Sequence, residues 1–131
     1  ARFLESIPRP VDLITVDASF ISLNLLLPVF VPWFAAGRGD VIALIKPQFE
    51  AGREQVKRGK GVVRDPEVHY QVLTKVLANA EKEGYAPQGL IRSPLLGPKG
   101  NVEFLAWLRL QGEPAFEVDS HLQNLIFGPP D

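Results

Sequence analysis

A chain of 131 residues, 46% hydrophobic and 22% charged, has the size of one domain and enough apolar side chains for a core, which excludes an intrinsically disordered protein. Its formal net charge of −1 excludes a global field for nucleic acid, so any such attraction has to be local. With no cysteine and only two well-separated histidines, neither a disulfide frame nor a structural zinc site is available, and no metal is expected.

The chain opens on ARFLES and contains no methionine, so it reads as a piece of a longer protein. Arg2 and Glu5 interrupt any apolar run of the kind a signal peptide needs. DLITV (12–16) is a short apolar run after PRP, the pattern of a strand covered on both faces, and it stops at Asp17. FISLNLLLPVFVPWFAAG (20–37) is nearly uncharged and about long enough to span a bilayer. Asn24, Pro28 and Pro32 interrupt it, and no basic anchor precedes it. It therefore reads as a mostly buried helix broken by its prolines, with Ser19 or Ser22 as cap. VIALI (41–45) is a second strand like the first. KPQFEAGREQVKRGKGVVR (46–64) is polar, basic and glycine-punctuated, the pattern of a loop or short excursion.

The clearest helix follows. Asp65 fits the N-cap and Pro66 the first helical position. Val68, Val72, Leu73, Val76, Leu77 and Ala80 share one face at helical spacing, and Gly84 sits where the helix should stop. His69 on that helix is a helix-surface or helix–loop contact rather than a catalyst. APQGLIRS (86–93) is a strand, SPLLGPKGN (93–101) a long turn and EFLAWLRL (103–110) a strand running back beside its neighbours. Residues 112–131 form a weakly patterned, proline-rich tail.

Strands alternating with helices predict an α/β fold with a parallel sheet. The last strand is reached by a turn without a helix, so it should run antiparallel. Ligands of such sheets bind beyond the carboxyl ends of the parallel strands. Asp17 and Lys46 end the first two strands, and Glu103 opens the antiparallel one, so topology gathers all three at one rim. Each has an ordinary alternative: Asp17 as a helix cap, Lys46 as a strand-end lysine, Glu103 as an edge charge. Together they make an acid–base set.

DLITVDASFISL, IALIKPQFEAGREQV, GKGVVRDPEVH and SPLLGPKGNVEFL, in this order and spacing, resemble the second half of the TlyA-type (hemolysin A), FtsJ-like ribosomal RNA methyltransferases. The resemblance runs from about Ala1 to Leu108. It implies a partial Rossmann-like sheet, strands four to seven with the last antiparallel, flanked by helices. It also implies S-adenosylmethionine (SAM) as methyl donor and transfer to a ribose 2′-hydroxyl by a Lys–Asp–Lys–Glu tetrad. Asp17, Lys46 and Glu103 match the last three members of that tetrad. Asp17, Ser19 and Phe20 would line the methyl end of SAM. The first lysine, the GxSxGGF loop, the acidic strand end that holds the ribose of SAM and the small N-terminal RNA-binding module do not occur in this sequence. Residues 1–111 are thus expected to be half a catalytic domain, inactive alone and binding SAM weakly or not at all.

Arg53, Lys57, Arg58, Lys60 and Arg64 stand against only Glu54 and Asp65, a local basic patch for RNA phosphate or simply a solvated loop. GPKGN reads as a turn rather than a phosphate cradle. The strand at 12–16 should lie at an unpaired edge, predicting a homodimer through it. Ribosomal RNA or a ribosomal subunit is the implied partner, and the cytoplasm the implied location. Two other classes remain open from the sequence: a membrane-lytic protein using 20–37, and a non-catalytic RNA-binding module using the basic loop.

Overall fold

The computed structural model describes residues 11–17, 22–52, 57 and 59–128. In chain order the elements are β1 (Leu13–Val16), α1 (Leu23–Phe30), β2 (Gly39–Ile45), α2 (Pro47–Glu50), α3 (Pro66–Lys82), β3 (Tyr85–Arg92), β4 (Phe104–Leu110) and α4 (Val118–Phe127). The strands form one four-stranded sheet in the order β1-β2-β4-β3. β1 and β2 are parallel, with Val16 opposite Ala43. β4 runs antiparallel to both neighbours, pairing Ile45 with Phe104 on one side and Arg92 with Phe104 on the other. The last strand is therefore antiparallel, as its helix-free connection requires. The crossover through α3 leaves a one-strand gap between β2 and β3, and β4 fills it.

The apolar sides of α1 and α3 close over the sheet face that carries Val41, Ala43, Ile45, Phe104, Ala106 and Leu108. The six residues read as the apolar face of α3 are all buried, Leu73 completely. Asp65 caps this helix by accepting a hydrogen bond from the Glu67 amide at 2.9 Å. Gly84 ends it at φ +91°, in the left-handed region that costs a residue with a Cβ.

Among the described residues no helix covers the opposite sheet face. Leu13 is 55%, Ile91 55% and Trp107 40% exposed. This corrects the expectation that the two apolar runs are covered on both faces: in β2 only alternate residues are buried, and no residue of β1 is. The described helices form a layer on one side of the sheet, so the apolar run of β1 has no second layer to enter.

The 20–37 segment breaks as its prolines dictate. Ser22 caps α1 by accepting from the Asn24 amide, Pro28 lies inside the helix, and the chain leaves through short 3₁₀ turns at Val31–Trp33 and Ala35–Gly37. Among the described residues no helix is long and apolar enough to cross a membrane.

The segment after Gly112 contains a helix that its sequence pattern did not announce. Glu117 caps α4, and Leu122 is fully buried against the core. The segment also covers the outer edge of β3: the Ala115 amide donates to the Pro87 carbonyl, and His121 Nε2 donates to the Leu90 carbonyl at 2.9 Å. An otherwise bare strand edge is thereby satisfied.

Candidate active site

The candidate residues lie where the two parallel strands end. Asp17 directly follows β1, and Lys46 directly follows β2 and starts α2, whose first position is Pro47. Glu103 directly precedes β4. The β2–β4 register ends at Ile45 opposite Phe104, so one more step along the ladder sets Lys46 against Glu103.

Lys46 Nζ lies 2.5 Å from Asp17 Oδ1. The lysine side chain is 12% exposed and the aspartate 67%. The stem of Lys46 is thus packed while its charge meets a carboxylate open to solvent. A pair so exposed on one side contributes little to stability, which leaves its geometry as the feature to explain. Phe49 lies beneath the amine, its ring centre 5.9 Å from Nζ.

Glu103 is held quite differently. It is 5% exposed, and its Oε2 accepts a hydrogen bond from Gln48 Nε2 at 2.8 Å. The turn after β3 folds over it: a Cβ placed on Gly97 would fall 2.0 Å from Glu103 Oε2. Gly97 has φ −79°, which any residue adopts, so the close approach and not the backbone angle demands glycine here. The turn is in turn pinned by Asn101, 2% exposed, which accepts from the Val63 amide at 2.9 Å and donates to the Gly61 and Pro98 carbonyls. That side chain clips the basic loop to the turn that touches Glu103. Lys99 joins the loop as well, donating from Nζ to the Lys60 carbonyl at 3.3 Å.

Of the basic residues, Lys57, Lys60 and Arg64 are exposed; Arg53 and Arg58 lie outside the described residues, as do Ser19 and Phe20. His69 is buried, 5% exposed, with Nε2 bonded to the Val63 carbonyl at 2.8 Å and its ring edge-on to Phe104. Burial pushes this imidazole below its ordinary 6.5, against the raising effect of the Val63 bond, so it is a neutral helix–loop tie, in keeping with its sequence reading. No cluster of three or more metal-ligating side chains occurs among the described residues.

Sequence reasoning missed Gln48, Glu50 and Asn101. Glu50 accepts from Ser22 Oγ at 2.8 Å and from the Leu23 amide at 2.9 Å, so it closes the N-terminus of α1 with a favourable negative charge. The available signal was the alternation Lys46, Gln48, Glu50 within an otherwise apolar stretch.

A sequence profile of the FtsJ-like methyltransferases matches residues 1–110. YqxC of Bacillus subtilis, which carries the name of an rRNA methyltransferase, is 48% identical over 113 residues, covering 86% of this chain and 38% of that protein. TlyA of Mycobacterium tuberculosis, named a 16S/23S rRNA (cytidine-2′-O)-methyltransferase, is 44% identical over 114 residues, covering 87% of this chain and 42% of that protein. A solved structure of a hemolysin-named protein from Streptococcus thermophilus superposes with a TM-score of 0.86 at 40% identity, over 96% of this chain and 46% of that one. The chain thus spans less than half the length of each.

Proposed function

Because the chain belongs to the FtsJ-like methyltransferase family, we propose that it supplies the acid–base half of a SAM-dependent enzyme that methylates a ribose 2′-hydroxyl of ribosomal RNA. The observation that carries this reading is the Lys46–Asp17 pair at the carboxyl edge, with Glu103 across the ladder from Lys46. A ribose hydroxyl is a weak nucleophile while protonated, so the site has to orient it and receive its proton. The amine of Lys46 orients the 2′-hydroxyl and, in its neutral form, accepts the hydroxyl proton. Asp17 aims that amine, and Glu103 fixes the far side of the reacting ribose or the lysine.

SAM, when bound, supplies a methyl group already activated on a sulfonium. Asp17 fits the sulfonium end, since its carboxylate is 67% exposed at the ligand edge of the sheet. Among the described residues no glycine-rich loop is present to cradle the rest of that molecule. Lys57, Lys60 and Arg64, with Lys99 tied to them, offer a basic strip for the RNA backbone. The same reading puts the protein in the cytoplasm with the ribosome. Among the described residues no strand pairs with the outer edge of β1, and with Leu13 exposed this supports pairing of two chains through that strand.

Transfer of labelled methyl from SAM to ribosomal RNA by the full-length protein tests the reading. Lys46→Ala should abolish it, while Lys75→Ala on the solvent side of α3 should not. Undiminished transfer by Lys46→Ala would sink the assignment.

A further inference from the structure

The five residues that follow β2 grip all three segments of the site. Lys46 pairs with Asp17, Gln48 with Glu103, and Glu50 with the start of α1. Gln48 stands apart in this group. It is 7% exposed, its Nε2 is committed to the Glu103 carboxylate, and among the described residues its Oε1 has no hydrogen-bond partner. A buried glutamine kept only for packing would satisfy both ends of its amide or give way to an apolar side chain of similar size. One end left unpaired is a stability cost accepted for what the other end does.

We infer that Gln48 is the positioning residue of this site: by donating from Nε2 it fixes where the Glu103 carboxylate sits opposite Lys46. The geometry constrains Glu103 on two sides. Gly97 closes one side by direct contact, and the Gln48 amide sets the other at 2.8 Å. The amide has only one productive orientation, because turning it would set Oε1 against the carboxylate. α2 holds the Gln48 backbone firmly, since the Lys46 carbonyl accepts from both the Phe49 and Glu50 amides. Lys46 and Gln48 therefore move together, and the distance from Lys46 to Glu103 is set within one helical turn.

The inference rests on the methyltransferase reading and is tested on the full-length protein with ribosomal RNA and SAM. Gln48→Met keeps length and apolar volume and removes the donor. It should lower kcat by ~10- to 100-fold, the usual cost of losing a group that orients a reacting residue. KM for RNA and the affinity for SAM should stay within about twofold. In a Glu103→Gln background the same change should lower kcat by less than about twofold further, because Gln48 acts through Glu103. Gln48→Leu, which is apolar, of similar volume and without a donor, carries the same expectation if the methionine variant folds poorly. A kcat within twofold of wild type overturns the inference. So does a loss that multiplies in full on the Glu103→Gln background, or a parallel collapse of SAM affinity, either of which marks a merely structural side chain. A wild-type protein that transfers no methyl group overturns the functional reading itself, and is told apart by that control.

Discussion

Gly97→Ala isolates the packing around Glu103. The added Cβ would meet Glu103 Oε2 at 2.0 Å and Cδ at 2.5 Å, whereas ordinary contact begins near 3.4 Å. The carboxylate would have to retreat by about 1.4 Å, the difference between 3.4 and 2.0 Å. That movement breaks the 2.8 Å bond from Gln48 and leaves a buried carboxylate without its donor. Overpacking of this kind costs about 1–3 kcal/mol and an unpaired buried polar group about the same, so a loss of about 2–6 kcal/mol is expected. Urea unfolding followed by far-ultraviolet circular dichroism reads this directly. With a slope of about 1–3 kcal/mol/M for a small protein, the midpoint should fall by roughly 1 M or more at unchanged slope. Gly52→Ala is the control, since among the described residues nothing lies within 4 Å of its Cβ position. Adding Glu103→Ala should remove the clash, making the double variant more stable than the sum of the two losses. A Gly97→Ala midpoint equal to that of Gly52→Ala would refute the reasoning.

Other consequences follow from single contacts. His69 is neutral in the fold because burial lowers its pKa below 6.5, so its stabilising contribution is complete above that value and is lost as pH falls below it. Urea midpoints should drop between pH 7.5 and 5.5, and His69→Gln should flatten that drop. Asn101→Ala strands the buried Val63 amide and frees the basic loop, so about 2–3 kcal/mol should be lost and RNA affinity should fall with it, read by melting and by filter binding. Asp65→Ala removes the cap of α3 and should cost about 1 kcal/mol in a thermal melt. If Lys60 and Lys99 contact phosphate, each alanine variant should reduce the salt dependence of RNA binding by about one unit of log–log slope.

How much of this was legible depended on how far each signal reached along the chain. α3 was readable because its six buried side chains, its Asp65–Pro66 start and its Gly84 stop are all local. The direction of β4 followed from a connection too short for a helix. α4 escaped notice because only Leu122 on it is fully buried and its cap is a glutamate, outside the usual Ser, Thr, Asp and Asn set. β1 and β2 read as doubly covered because an apolar run signals hydrophobic faces, not whether a partner layer is present on each. Asp17, Lys46 and Glu103 could be named from strand ends and from resemblance. Asn101 could not, because its Val63 partner lies 38 residues away, and the alternation Lys46, Gln48, Glu50 marks Gln48 as polar without pointing to Glu103, 55 residues away.

The central claim is that Asp17, Lys46 and Glu103 act together on one 2′-hydroxyl of RNA. Mass spectrometry of nucleosides from ribosomal RNA treated with the full-length protein and isotopically labelled SAM tests it most directly. The expected result is a single labelled 2′-O-methylnucleoside with the wild type and none with Lys46→Ala. Label on a base, or an unchanged 2′-O-methylnucleoside yield from Lys46→Ala, would contradict the account.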